Sequence, residues 1–229
     1  MSNTSVHEEF LDAFRLAWEQ LTSGDGDHAV RQAYENDRSW TAFVLGLKET
    51  MDPSQPWDGL FPMVANILLS KHPETWLIKQ IRPEDYSVDL SFVGGEPCLG
   101  EKRGWGYASR QFALIEHENN PRTVTEEFHK LIFRIADIKV LAFPDWSADQ
   151  CAGGSSQGEK ALDEFSTILK SVRSANEMDT EQTRNILILV AQRARQGQDA
   201  PLPTWRWAWS GNEPFVLQPL CPSSACGGP

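Results

Sequence analysis

The chain has 229 residues, of which 40% are hydrophobic and 23% charged, a composition that excludes disorder for most of its length. Its 32 acidic and 21 basic residues give a formal net charge of -11, which excludes a general attraction to phosphate backbones or anionic lipid. Any action on nucleic acid therefore needs a local basic cleft or metal ions.

The cellular compartment follows from what the chain lacks. Its N-terminal residues do not resemble a signal peptide, and its longest apolar stretches fall far short of the ~20 residues of a membrane span. The four cysteines have neither CxxC spacing nor histidine pairs nearby, which argues against a zinc site and favours reduced thiols. We expect a cytoplasmic protein with no membrane partner.

The first third of the chain has helical periodicity. Residues 5–22 carry apolar side chains three and four apart, and Ser5 opens this segment as the first residue of a capping box. A turn of glycines and aspartates precedes a second predicted helix at about 28–50. A third helical pattern covers 60–80. We therefore expect the segment 1–80 to be helical.

The periodicity changes near residue 85. Residues 86–93 alternate apolar and polar side chains, which predicts a strand with one buried face. A glycine-rich stretch at 97–110 indicates a weak strand or a long hairpin, and 111–118 is a mostly apolar strand. A helix to about Asp137 and a short buried strand at 139–143 follow.

The last third continues the alternation of helix and strand. We expect an amphipathic helix at 158–176, a buried strand at 185–192 and a strand with tryptophans on one face at 205–209. This order predicts an α/β fold, with a central mixed β-sheet flanked by helices.

The predicted domain organisation is simple. We expect a single α/β domain over 1–218. Its parts are the helical segment 1–80, a core at about 85–145 and a C-terminal extension of sheet and helix at 158–218. The tail 219–229 is small and polar, and we expect it to be disordered.

Three carboxylates stand out in this order. Asp89 is on the polar side of the first predicted strand, and Glu116 and Glu118 are two apart at the end of another. The period of two puts both glutamates on one sheet face, and neighbouring strands would bring all three carboxylates together. We expect them to face solvent. Their mutual repulsion would be relieved by a divalent cation, and oxygen ligands suit Mg²⁺ or Mn²⁺.

A strand aspartate followed by a hairpin strand with Glu-x-Glu, a helix and a short apolar strand resembles the restriction-endonuclease-like, or PD-(D/E)XK, nuclease superfamily. The matching residues are Asp89, Glu116 and Glu118, and the resemblance covers about 85–145. It implies a restriction-endonuclease-like core with an N-terminal helical segment. It also implies Mg²⁺-dependent hydrolysis of DNA phosphodiester bonds, in restriction or another form of defence.

The motif departs from the family pattern at its last position. Glu118 replaces the usual lysine, so we assign it metal binding and the activation of water. Lys130 and Lys139 are candidates for a lysine that has moved in the sequence, and Glu74 is a candidate for the glutamate that some members take from the preceding helix. These three are auxiliary candidates, and Asp89 with Glu116 and Glu118 form the predicted catalytic and metal site.

Two other interpretations stay open. Without the motif lysine, the chain could be an inactive nuclease-like protein that binds a protein partner as an inhibitor, immunity or assembly module. Its acidic surface suits a basic partner. The stripe formed by Trp205, Trp207 and Trp209 could stack bases, although such a stripe more often packs in the core.

Overall fold

The central sheet contains seven strands. The structure is a computed structural model, and it describes residues 5–24, 26–46, 59–85, 87–94, 110–145, 156–175, 183–192, 197, 199–212 and 214–220. The strands are β1 Ile78–Asp85, β2 Val88–Gly94, β3 Arg110–His117, β4 Ile138–Asp145, β5 Ile186–Gln192, β6 Thr204–Trp209 and β7 Gln218–Pro219. Six helices complete the described residues: α1 Val6–Leu21, α2 Gly26–Ala33, α3 Asp37–Leu45, α4 Leu60–Lys71, α5 Val124–Ile132 and α6 Gln157–Ser174.

The strands are arranged in the order of the chain, from β1 at one edge to β7 at the other. The first three strands pair antiparallel, β3, β4 and β5 pair parallel, and the last two pairs are antiparallel. Helix α5 connects β3 to β4, and α6 connects β4 to β5. The expected α/β fold, with a central mixed sheet and flanking helices, is confirmed.

Helices cover both faces of the sheet. Helices α1 to α4 pack on one face, here called the N-terminal face, where Ile115 and Val140 are buried beneath them. Helices α5 and α6 pack on the other, here called the crossover face, where Leu114 and Leu141 are buried. The two parallel crossovers share a face because right-handed connections that progress in one direction return on the same side of the sheet.

Helix α1 packs against β6 of the sheet. The Ser5 amide donates to Glu8 Oε2 at 2.9 Å, as the predicted capping box requires. Further along the helix, Phe14 packs edge-on against Trp205 of β6, with ring centroids 5.0 Å apart. His7 stacks on Trp209 at 4.3 Å. The tryptophans of β6 therefore pack against α1, which makes them part of the core on this face.

A buried carboxylate joins α1 to the start of the sheet. Glu9 is 8% exposed, and its Oε2 accepts a hydrogen bond from Trp76 Nε1 at 2.8 Å. Its Oε1 lies 3.5 Å from His72 Nδ1 at the end of α4. Because a buried polar group is costly unless it is hydrogen-bonded, these partners explain how Glu9 is tolerated inside the layer.

Several sequence expectations need correction. The helix expected at 28–50 is two helices, since the chain breaks after Ala33 and Asn36 caps α3 by accepting the Ser39 amide at 3.0 Å. The segment 1–80 is not helical throughout, because β1 begins at Ile78. The helix expected to reach Asp137 ends at Ile132, and β4 continues to Asp145.

The ends of other predicted elements also differ. Strand β7 occupies Gln218–Pro219, so the predicted tail starts too early. Leu220 is still bound to the sheet through its amide, which donates to Trp205 O at 2.9 Å. The rest of the predicted tail and nearly all of the hairpin expected at 97–110 lie outside the described residues. In the described part of the chain, no helix combines the length and apolar character that crossing a membrane requires.

Candidate functional site

Asp89 and Glu116 meet on adjacent antiparallel strands. Strand β2 pairs with β3 through Leu90 and Ile115, and continuing this register by one residue puts Asp89 directly opposite Glu116. Side chains so placed have Cβ atoms about 5 Å apart. Asp89 Oδ2 also accepts the amide of His117 at 2.7 Å. The alternation of β3 directs Glu116 to the crossover face, as it directs Leu114.

The environment of the two carboxylates favours their neutral forms. Glu116 is 1% exposed, and Asp89 is half-buried. Burial, followed by the charges of Asp89 and Glu127, raises the pKa of Glu116 to about 9. Burial also raises the pKa of Asp89, although the hydrogen bond from the His117 amide opposes that change. The expectation that these carboxylates face solvent is therefore wrong for Glu116.

Helix α5 brings two further charged side chains to this pair. Glu127 lies close enough to Glu116 for a side-chain hydrogen bond, and its charge raises the pKa of both carboxylates. Lys130 Nζ lies 2.5 Å from Glu127 Oε2. This interaction is the main reason that the pKa of Lys130 is raised, and the charges of Glu116 and Asp89 contribute to it. The site is thus a cluster of Asp89, Glu116, Glu127 and Lys130, which we call the carboxylate–lysine cluster.

One oxygen of Glu116 has no donor among the described residues. Glu116 Oε1 is fully buried and accepts no hydrogen bond from any of them. Its nearest charged neighbours are other carboxylates and the single ammonium of Lys130, which interacts mainly with Glu127. A buried oxygen in this situation is usually paired with a donor or a cation. Among the described residues, the cluster therefore has more carboxylates than positive charges.

Glu118 lies beyond the end of β3 and has a different environment. Its amide donates to Ala142 O at 3.0 Å, so the backbone still follows β4. Its side chain is half-buried, and Oε1 accepts the Asn120 amide at 2.7 Å. Glu118 is not among the principal charges acting on Asp89 or Glu116. The structure brings together Asp89 and Glu116 of the predicted triplet. The side chain of Glu118 is hydrogen-bonded in the turn that follows β3 instead.

Of the three auxiliary candidates, one belongs to the cluster and two do not. Lys130 belongs to the cluster. Lys139 is completely buried at the start of β4, where its Nζ donates to Arg134 O at 3.4 Å and burial lowers its pKa to about 8. Glu74 is exposed in the turn after α4 and is likewise not a principal influence on the two carboxylates.

Sequence reasoning overlooked Glu127. The apolar stripe of α5 is formed by Val124, Phe128 and Leu131, and Glu127 falls within it at the spacing of a buried position. A charge inside an apolar stripe, three residues before a lysine, was the available signal. In the described part of the chain, no three His, Cys, Asp or Glu side chains are arranged closely enough to hold a metal ion. A cation here would therefore rely on fewer protein ligands.

Two comparisons of the sequence give no independent indication of function. Neither the protein-family models nor the curated proteins compared with this chain match it. The assignment therefore depends on the chemistry of the described residues.

The raised pKa of Glu116 predicts a specific dependence of stability on pH. The pKa is about 9 in the folded protein against an ordinary value of 4.5, so the folded state holds this proton more tightly than the unfolded state. The contribution of this group to the free energy of unfolding therefore falls as the pH rises from about 4.5 towards 9. Glu116→Gln, which resembles the neutral acid, should remove this slope.

In metal-free buffer we expect Glu116→Gln to melt near the wild-type temperature at pH 4.5 and several degrees above it at pH 8.5. For a chain of this size, such a difference in melting temperature at pH 8.5 corresponds to a difference of roughly 2 kcal/mol in the free energy of unfolding. The measurement is thermal unfolding at a series of pH values, with the exposed Glu126→Gln in the first turn of α5 as control. A variant that melts many degrees below wild type at high pH would contradict the inferred neutral form of Glu116.

Proposed function

We propose that this protein is a divalent-metal-dependent phosphodiesterase that acts on DNA, with Asp89 and Glu116 as its metal ligands. The observation that carries the proposal is the pairing of these carboxylates across β2 and β3, with Glu116 Oε1 buried and without a donor in the part of the chain that the structure describes. Two carboxylates pushed towards their neutral forms are stabilised as anions by a cation. Mg²⁺ commonly uses one or two carboxylates and keeps several waters, so this pair is sufficient.

The donor set fits the proposed cofactor. Asp89 and Glu116 offer only oxygen atoms, which suits Mg²⁺ or Mn²⁺ and not softer metals. Glu127 adds a third negative charge to the same cluster. When bound, the cation supplies Lewis acidity and lowers the pKa of water. Asp89, held by the His117 amide, would keep its carboxylate oriented towards the cation.

We assign Lys130 the role that the motif lysine has in the superfamily that the sequence resembles. It approaches from α5, and its ammonium is held beside the carboxylates by Glu127. Its side chain is 43% exposed, so it can reach both the cluster and a bound substrate. A positive charge there would stabilise the negative charge that develops on phosphoryl oxygens during cleavage.

The order of elements over 85–145 supports the proposal. Strands β2 and β3, the crossover helix α5 and the parallel strand β4 follow each other in the order on which the sequence resemblance is drawn. A shared fold does not establish a shared reaction, because function depends on the site that the fold carries. The reaction therefore needs a direct test.

The test is cleavage of plasmid and single-stranded DNA with Mg²⁺ or Mn²⁺ at low salt, where local basic contacts bind DNA best. We expect cleavage by wild type, none with EDTA, and none by Asp89→Asn or Glu116→Gln. Calorimetry should show that wild type binds Mn²⁺ and that both variants bind it far more weakly. Glu126→Gln is the matched control and should behave as wild type.

A wild-type protein that neither cleaves DNA nor binds Mn²⁺ would overturn the proposal. The chain would then be better described as the inactive, protein-binding relative that the sequence left open. A protein that cleaves equally well after Asp89→Asn would contradict the assignment of the ligands.

A further inference from the structure

The turn between β3 and α5 is built from a continuous series of hydrogen bonds. Glu118 Oε1 accepts the Asn120 amide at 2.7 Å, and Asn120 Oδ1 accepts the Arg122 amide at 3.1 Å. The carbonyl of Asn120 accepts the Thr123 amide at 3.0 Å, and the carbonyl of Thr123 accepts the Glu126 amide at 2.9 Å. The bonds lead without interruption from the end of the carboxylate strand into the first turn of α5.

The same turn is also fixed from the opposite side of the sheet. Asn119 Nδ2 donates to Asp37 O at 3.4 Å and to Thr41 Oγ1, both in α3 of the N-terminal layer. The turn therefore joins the layers on the two faces at the point where the chain leaves β3. A shift of this turn would move the start of α5 relative to β3.

The position of α5 decides whether the carboxylate–lysine cluster is complete. Asp89 and Glu116 are on the sheet, whereas Glu127 and Lys130 are in the first two turns of α5, nine and twelve residues after Glu118. The middle of the helix is held by the stack of Phe128 on Phe165, with ring centroids 4.1 Å apart. The turn holds the start of the helix, and the two contacts together set its direction.

We infer that Glu118 is a positioning residue: it holds the turn that sets Lys130 against Asp89 and Glu116, and it neither binds the metal nor activates water. The inference rests on the proposed function of the cluster. The second carboxylate of the Glu-x-Glu motif, Glu118, thereby has a structural role. The positive charge of the lysine that the motif lacks is supplied by Lys130 of α5.

The experiment compares Glu118→Gln with Glu118→Ala. Glutamine keeps an oxygen acceptor for the Asn120 amide, but it can act neither as an anionic ligand nor as a base. We expect Glu118→Gln to bind Mn²⁺ with wild-type affinity and to cleave DNA within about threefold of wild type. Glu118→Ala should keep its affinity for Mn²⁺ within a few-fold but lose cleavage by about tenfold or more, because a displaced catalytic group is costly.

A second readout does not depend on activity. The NMR chemical shifts of the Lys130 side chain depend on the charges around its ammonium, so in the metal-free protein they are sensitive to its approach to the three carboxylates. They should be unchanged in Glu118→Gln and shifted in Glu118→Ala. Asn119→Ala, which releases the turn from α3, should shift them in the same sense. Glu74→Ala is the control for the loss of one exposed carboxylate and should leave them unchanged.

The outcomes separate the two proposals. If Glu118→Gln loses Mn²⁺ affinity or cleavage as severely as Glu118→Ala, Glu118 is a ligand or a base, and the positioning role is overturned. Unchanged Lys130 signals in both Glu118→Ala and Asn119→Ala would also overturn it. If wild type neither binds metal nor cleaves, the proposed function fails, but the Lys130 signals still decide whether the turn positions α5.

Discussion

Replacing Lys130 with methionine is expected to strengthen metal binding and to weaken cleavage. The ammonium of Lys130 neutralises part of the negative charge of Glu127, Glu116 and Asp89, and it therefore competes with a cation. Without it, we expect the affinity for Mn²⁺ to rise several-fold in calorimetry. Cleavage should nevertheless fall by about 10²-fold or more, since one charge that stabilises a transition state typically has an effect of this size.

The control for this prediction is Lys160→Met, which removes an exposed lysine from α6. This variant should change neither the affinity for Mn²⁺ nor the rate of DNA cleavage by more than a small factor. If Lys130→Met cleaved as fast as wild type, Lys130 would be only a counter-ion. If metal affinity fell instead, the lysine would be needed to hold the carboxylates in place.

Replacing Phe165 with alanine is expected to have the largest effect on stability. Phe165 is completely buried, stacks on Phe128 of α5 and packs edge-on against Phe143 of β4, with centroids 6.2 Å apart. Truncation of such a side chain leaves a cavity and typically costs about 3–5 kcal/mol. The melting temperature of a chain of this size should fall by about 10 °C.

Phe133→Ala is the matched control, since Phe133 follows α5 directly but is 64% exposed. Substitution there should change the free energy of unfolding by less than about 0.5 kcal/mol. Because Phe165 supports α5, its truncation should also disturb the Lys130 signals at temperatures where the protein remains folded. Equal destabilisation by the two variants would mean that the contact between α5 and α6 contributes little.

Much of the sheet could be predicted because its strands have simple patterns. Strands β2 to β5 are short apolar or alternating runs, and their period of two correctly put Asp89 and Glu116 on strands that could be neighbours. Strand β1 was overlooked, because Pro83 and the charged Lys79 and Arg82 interrupt its pattern. These residues suit an edge strand, where one side of the backbone is unpaired, but they do not mark one clearly in a sequence.

The rest of the site depends on contacts between elements, which the periodicity of a sequence does not predict. The approach of Lys130 to Glu116 is set by how α5 crosses the sheet, which follows from packing around Phe128 and Phe165. The task of Glu118 depends on the turn in which Asn120 points its amide at the carboxylate. A two-residue spacing predicts a shared face only while the strand continues, and β3 ends at His117.

The order of the sheet has a consequence for how the chain folds. Since each strand pairs with the one that precedes it in the sequence, every new strand can join the growing sheet as soon as it leaves the ribosome. Helix α1 is one exception, because its residues Phe14 and His7 pack against Trp205 and Trp209 of β6. The contacts of α1, the first helix to be synthesised, are therefore complete only after β6 has formed. We expect the packing of these distant segments to be the slow step of folding.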